Sequence, residues 1–128
     1  MIRRRNDPIL LPPASPFSQV VSDDRYLFLS GVVAADIPGG RALVGDIRAE
    51  TRLVLTTIGD LLRRHGAALD DVLRVDVHLA DLSEIQAMDE VYRVFFGRCP
   101  PARTCTGATG LFGGCRVEVT VMARRGDR

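Results

Sequence analysis

Two side chains near the C-terminal end are of the types that hydrolytic chemistry on a small acid needs. Arg103 lies in the run Pro101-Ala102-Arg103-Thr104-Cys105, and Glu118 follows it by 15 residues, between Val117 and Val119. A guanidinium offers a planar fork of N–H donors that grips a carboxylate through two parallel hydrogen bonds. By residue type alone, without its motif, a structural salt bridge is the favoured reading. A carboxylate among valines acquires a raised pKa if it is buried, and such a group can protonate a leaving amine and take a proton from an attacking water. A solvated strand glutamate is the plain alternative. Cys105 reads as pocket lining rather than as a nucleophile, because no histidine partner stands near it in the sequence.

What the chain lacks narrows the chemistry further. All 17 basic residues are arginine. Schiff-base formation through lysine, attachment of pyridoxal phosphate and a phosphate-loop lysine are therefore excluded. Only His65 and His78 represent histidine, so a multi-histidine metal site is excluded as well. Cys99, Cys105 and Cys115 are an odd number without metal-ligand spacing, which suits free thiols in a reducing compartment and predicts a cytoplasmic protein. A net charge of +1 leaves no footprint for nucleic acid or anionic lipid, and the cluster Arg3-Arg4-Arg5 reads as a solvated tail. The apolar run Ile9-Leu10-Leu11 is closed by Pro12-Pro13, too early for a secretory signal, and nothing approaches the ~20 apolar residues of a membrane span. Gly107 to Gly114 is glycine-rich but no lysine follows, so it reads as a hairpin rather than a phosphate loop.

The elements that must position these groups follow from periodicity and punctuation. With 128 residues, 46% apolar and 26% charged, the chain makes one globular domain. Residues 1–14 read as an irregular lead-in and 15–125 as the domain. Short strands are predicted over 17–21 and 26–30, the second stopped by Gly31. A helix is predicted over 47–65, capped by Asp46 and terminated by Gly66. A strand over 72–79 precedes a second helix starting at Ser83, where Ser83 and Gln86 have capping-box spacing; that helix buries Ile85, Met88, Tyr92, Phe95 and Phe96. Two strands, 103–108 and 116–124, complete the order β-β-α-β-α-β-β. The fold class is therefore α+β, a single sheet with both helices on one face. Alternation gives that covered face Leu73, Val75, Val77, Leu79, Val117, Val119 and Val121. The opposite face carries Tyr26, Phe28, Ser30, Arg74, Asp76, His78, Glu118 and Met122. With Cys105 assigned to it too, that mixture reads as a subunit interface, with His78 within it.

Several stretches together resemble one family: Ser15-Pro16-Phe17-Ser18-Gln19, Leu27-Phe28-Leu29-Ser30-Gly31, Glu90-Val91-Tyr92-Arg93-Val94-Phe95-Phe96, Pro101-Ala102-Arg103-Thr104-Cys105 and Val117-Glu118-Val119. They resemble the Rid, or YjgF, family of reactive-intermediate deaminases. The resemblance implies a chorismate-mutase-like fold and a homotrimer with sites between subunits. It implies cofactor-free hydrolysis of small enamines and imines, such as 2-aminoacrylate, to a keto acid and ammonia. It carries the carboxylate anchor onto Arg103 and the water-handling group onto Glu118. Substrate contacts fall on Cys105, Ser30, Gly31, Phe17 and Asp89. Phe17 stands where the family usually has tyrosine, Asp89 stands where asparagine is common, and residues 106–110 are smaller than usual. These departures point to a specialised substrate. A pathway-specific enzyme for a larger imine stays open at this level, and so does a non-catalytic ligand-binding or RNA-associated trimer.

Overall fold

The computed structural model of the chain describes residues 1–126. Its strands are β1 (Arg3–Arg5), β2 (Val20–Ser22), β3 (Tyr26–Leu29), β4 (Val72–Leu79), β5 (Ala102–Gly107) and β6 (Val117–Arg124). The helices are α1 (Ile47–Arg64) and α2 (Ile85–Phe96). All six strands join one sheet in the order β1-β2-β3-β6-β4-β5, antiparallel except for the parallel pair β4–β5.

The first helix begins and ends as its local sequence dictates. The Asp46 carboxylate accepts from the Ala49 amide at 3.1 Å, and Gly66 takes a φ of +91° just beyond the last turn. Val54, Leu55, Ile58, Leu61 and Leu62 of α1 and Met88, Tyr92 and Phe96 of α2 are buried against one sheet face. That face consists of Leu27, Leu29, Val75, Val77, Leu79, Val117, Val119 and Val121. Each large apolar side chain removed from water in this way contributes about 1.5–3 kcal/mol. Among the described residues no helix covers the other face, and Phe28 is exposed there.

Five local expectations need correction. Arg3–Arg5 is not a solvated tail but the edge strand, paired with β2. It is held from outside its own sequence: buried Gln19 accepts from the Asp7 amide at 2.8 Å and donates to the Leu11 carbonyl at 2.8 Å. The strand expected over 17–21 begins at Val20. The second helix opens through a 3-10 turn at Leu82–Glu84, where Asp81, not Ser83, is the cap; Asp81 accepts from both the amide and the hydroxyl of Ser83. An irregularity in the β4–β6 register between Val72 and Arg74 turns Val72 inward and leaves Leu73 exposed. Finally, β5 and β6 do not form a hairpin. The β4–α2–β5 crossover lays β5 parallel to β4, while β6 pairs with the other edge of β4. The glycine-rich link therefore passes around the end of β4, tied by the Ala108 amide to the Leu79 carbonyl at 2.8 Å.

Candidate active site

The crossover decides where Arg103 points. In the parallel register Arg103 lies beside Val75 and Cys105 beside Val77, both inward residues of β4. Arg103 and Cys105 therefore belong to the helix side of the sheet, and Cys105 packs against the core rather than joining the open face as alternation alone suggested. The Arg103 guanidinium lies 4.7 Å above the Tyr92 ring of α2. Its Nη1 donates to Oδ1 of Asp89 at 2.5 Å, and Nη2 reaches Oδ2 at 3.5 Å. Asp89 is the first cause that holds the Arg103 pKa above its ordinary value, against the cost of burial. A cleft of about 200 Å³ opens here, lined by Asp89, Tyr92, Phe96, Pro100 and Arg103 among others. The Tyr92 hydroxyl is buried with no hydrogen-bond partner of good geometry among the described residues, and burial pushes its pKa up. Burial also raises the Cys105 thiol, which the nearby Arg103 only partly offsets. A thiol held protonated is a poor nucleophile, so Cys105 is suited to lining the pocket.

Glu118 sits on the opposite face. It lies across from His78 of β4 in register, and its carboxylate presses on the backbone of Gly31. A β-carbon at position 31 would fall 2.5 Å from Oε2 and 2.9 Å from Cδ of Glu118. Glycine is thus required for the carboxylate to occupy this place. Glu118 is half-buried, and among the described residues its carboxylate makes no hydrogen bond or ion pair within the chain. His78 turns its Nδ1 to the Thr106 hydroxyl at 2.9 Å. Beside Gly31, the Ser30 hydroxyl donates to the Ser18 carbonyl at 2.7 Å, which leaves its oxygen free to accept. Phe17, Ser30, Gly31 and Gln19 line a narrow hollow at this end, and Phe17 is 44% exposed.

The predicted residues are therefore gathered in two groups rather than one. Arg103, Asp89 and Cys105 form the first, on the helix side; Glu118, Gly31, Ser30 and Phe17 form the second, beside the uncovered face. Residue patterning missed Tyr92 as the platform under Arg103, having placed it only in the buried stripe of α2. It also missed Glu50, whose fully buried carboxylate accepts from the Gly45 amide at 2.7 Å and the Arg116 amide at 2.8 Å. Glu50 anchors the chain one residue ahead of β6, and so helps fix the start of the strand that carries Glu118. A glutamate in the first turn of a helix gives no signal of such a role.

The described residues thus form a two-helix, six-stranded α+β layer with an arginine–carboxylate cleft on one side and Glu118 on the other. Residues 9–125 match the profile of the family described as endoribonuclease L-PSP. The chain belongs to that family, whose solved members also carry the names Rid and YjgF. It is 34% identical over 111 residues to a RutC family protein of Pyrococcus horikoshii, covering 87% of this chain and 88% of that one. It is 32% identical over 127 residues to the 2-iminobutanoate/2-iminopropanoate deaminase of Capra hircus, covering 98% and 93% of the two chains. The crystal structure of RidA from an Antarctic Psychrobacter superposes with a TM-score of 0.86 at 24% identity, covering 95% of this chain and 98% of that one. Among the described residues, no helix is long and apolar enough to cross a membrane.

Proposed function

We propose that this protein hydrolyses small reactive imines and enamines of the 2-aminoacrylate and 2-imino acid type to a keto acid and ammonia, as a cytoplasmic homotrimer with its sites between subunits. The observation that carries the reading is likeness across nearly the whole chain to a protein named for imine deamination. The geometry is compatible with it. Arg103 is the group to hold the substrate's acid function. Glu118, free of internal partners, is the group to take a proton from water as it adds to the C=N carbon, and to return one to the departing nitrogen. Ser30 and the thiol of Cys105 complete the lining. Because Arg103 and Glu118 belong to opposite faces of one sheet, a complete site is best built from the Arg103 side of one copy and the Glu118 side of another.

The test is to release 2-aminoacrylate continuously from serine with a dehydratase and to follow its loss with and without the protein. Acceleration over buffer is expected, with a loss of about 10²-fold or more in Glu118→Gln and a large rise in KM in Arg103→Ala. No acceleration by the unmodified protein would overturn the activity. Full rates in either variant would overturn that residue's role. An RNA-associated role fits a net charge of +1 poorly, and retention on RNA at physiological salt is the result that would restore it.

A further inference from the structure

The helix side of the β1 edge gathers positive charge that the described residues do not balance. Arg5 lies across from Val20, which is buried under the helices, so Arg5 and its alternate Arg3 both stand on that side. There they meet the end of α1. Arg3, Arg5, Ser22, Arg64, His65 and Arg125 line one cleft of about 240 Å³, and no carboxylate belongs to its lining. The acid behind it, Asp7, is almost wholly buried; it holds Arg64 through Nε and His65 through Nε2. Arg125 is fixed by its Nη1 on the Asp23 carbonyl at 3.2 Å, and the next amide, of Gly126, donates to the Gly66 carbonyl at 3.0 Å. The side chains of Arg3 and Arg5 have no hydrogen bond or ion pair among the described residues. Asp24, in the adjoining hollow, meets the N-terminal ammonium at 3.9 Å.

Charges on an edge strand guard it against pairing with another sheet, and arginines pointing apart would serve that end. Convergence on one cleft does not. Like charges held together repel, at a cost that a bound anion removes. Guanidinium forks grip phosphate oxygens through paired hydrogen bonds, and the Ser22 hydroxyl adds a donor. Four forks suit two linked phosphates better than one. We propose that this cleft is a binding site for a small molecule carrying a diphosphate group, separate from the Arg103 cleft. β1 and β5 form opposite edges of the sheet, and the two clefts share no lining residue. An occupant ties β1 to the end of α1 and to the segment after β6, so binding stabilises the fold. The net charge of +1 hides such a site, because it averages these arginines with acids that lie elsewhere.

Inorganic pyrophosphate is the probe, titrated by calorimetry into the intact protein at physiological salt, with sulfate as the control for simple charge. One pyrophosphate per chain is expected, bound about tenfold tighter than sulfate or better, with a melting temperature that rises with pyrophosphate concentration. Arg3→Gln/Arg5→Gln removes two charges whose side chains hold nothing else among the described residues. It should weaken pyrophosphate about tenfold or more, while the unliganded variant melts close to its parent. Arg103→Ala should bind pyrophosphate unchanged, since that loss falls in the other cleft. Binding no tighter than sulfate, or binding kept in full by Arg3→Gln/Arg5→Gln, would overturn the proposal. So would loss of binding in Arg103→Ala, which would put the anion in the catalytic cleft. A short single-stranded RNA that displaces pyrophosphate and binds more tightly would overturn the small-molecule assignment in favour of a polymer track. If the β1 variant fails to fold, the pyrophosphate to sulfate ratio of the unmodified protein and the Arg103→Ala result still decide. None of these readouts depends on imine turnover.

Discussion

An alanine at position 31 would put its methyl carbon 2.5 Å from Oε2 of Glu118, well inside contact distance. What it meets is the far end of a flexible side chain rather than backbone, so the chain has a cheap way out: the carboxylate swings aside. Gly31→Ala should therefore cost little stability, within about 1 kcal/mol, yet lower imine turnover by about tenfold to a hundredfold through a displaced proton-transfer group. Thermal melting and kcat measured on the same preparation separate the two effects. A variant that melts far earlier but turns over normally would show that Gly31 serves packing alone. The chemistry that Arg103 and Glu118 could support was legible in the sequence, since guanidinium and carboxylate chemistry follow from type. The partner of Arg103 was not. Asp89 lies 14 residues away on another element, and nothing in either local pattern says that the two side chains meet.

The elements show where sequence reading succeeds and where it stops. The boundaries of α1 were legible because Asp46 and Gly66 act within a turn of themselves. The edge strand at Arg3–Arg5 was not, because a run of arginines has no strand pattern and is held by contacts made far along the chain. The main one is Asp7, whose side chain is almost wholly buried. It accepts from Ile9 at 2.9 Å, meets Nε of Arg64 at 2.9 Å and lies 2.8 Å from Nε2 of His65, so it ties the lead-in to the end of α1. Burial pushes the Asp7 pKa up, but Arg64, the Ile9 amide and His65 together outweigh it and hold the carboxyl below the ordinary aspartate value. A pKa depressed on folding contributes stability that is fully present above the unfolded value, about 3.9, and is lost as pH falls through the folded one. Asp7→Asn should thus cost about 1–3 kcal/mol near neutrality. The gap between variant and parent should begin to narrow below about pH 4 and go on closing as pH falls through the lower folded value. Denaturation midpoints across pH 3–7 check this, and a gap that stays constant into acid would show that the charge is not what Asp7 contributes.

At the scale of the molecule, the parallel crossover is the feature that matters most. Alternation within each strand was enough to put Glu118 on the uncovered face, but it could not say which way β5 faces, because that depends on its register with β4 and on α2 above it. Once β5 is laid parallel, Arg103 goes to the helix side, and Arg103 and Glu118 lie on opposite faces of one copy's sheet. Exposed Phe28, on the same uncovered face as Glu118, gives that face an apolar centre suited to contact with another copy. If the halves meet across such contacts, two inactive variants can repair one another. Arg103→Ala supplies an intact Glu118 side, and Glu118→Gln supplies an intact Arg103 side. In a cyclic assembly reassembled at random from equal amounts, each interface pairs two intact halves about one time in four. Unfolding and refolding the two variants together should then recover about a quarter of the parental turnover, whereas mixing them without subunit exchange recovers none. No recovery from properly reassembled mixtures would mean that Arg103 and Glu118 serve one chain's site. The double variant Arg103→Ala/Glu118→Gln, refolded with parental chains, separates these outcomes: a shared site loses activity as the square of the parental fraction, and a site within one chain loses it linearly.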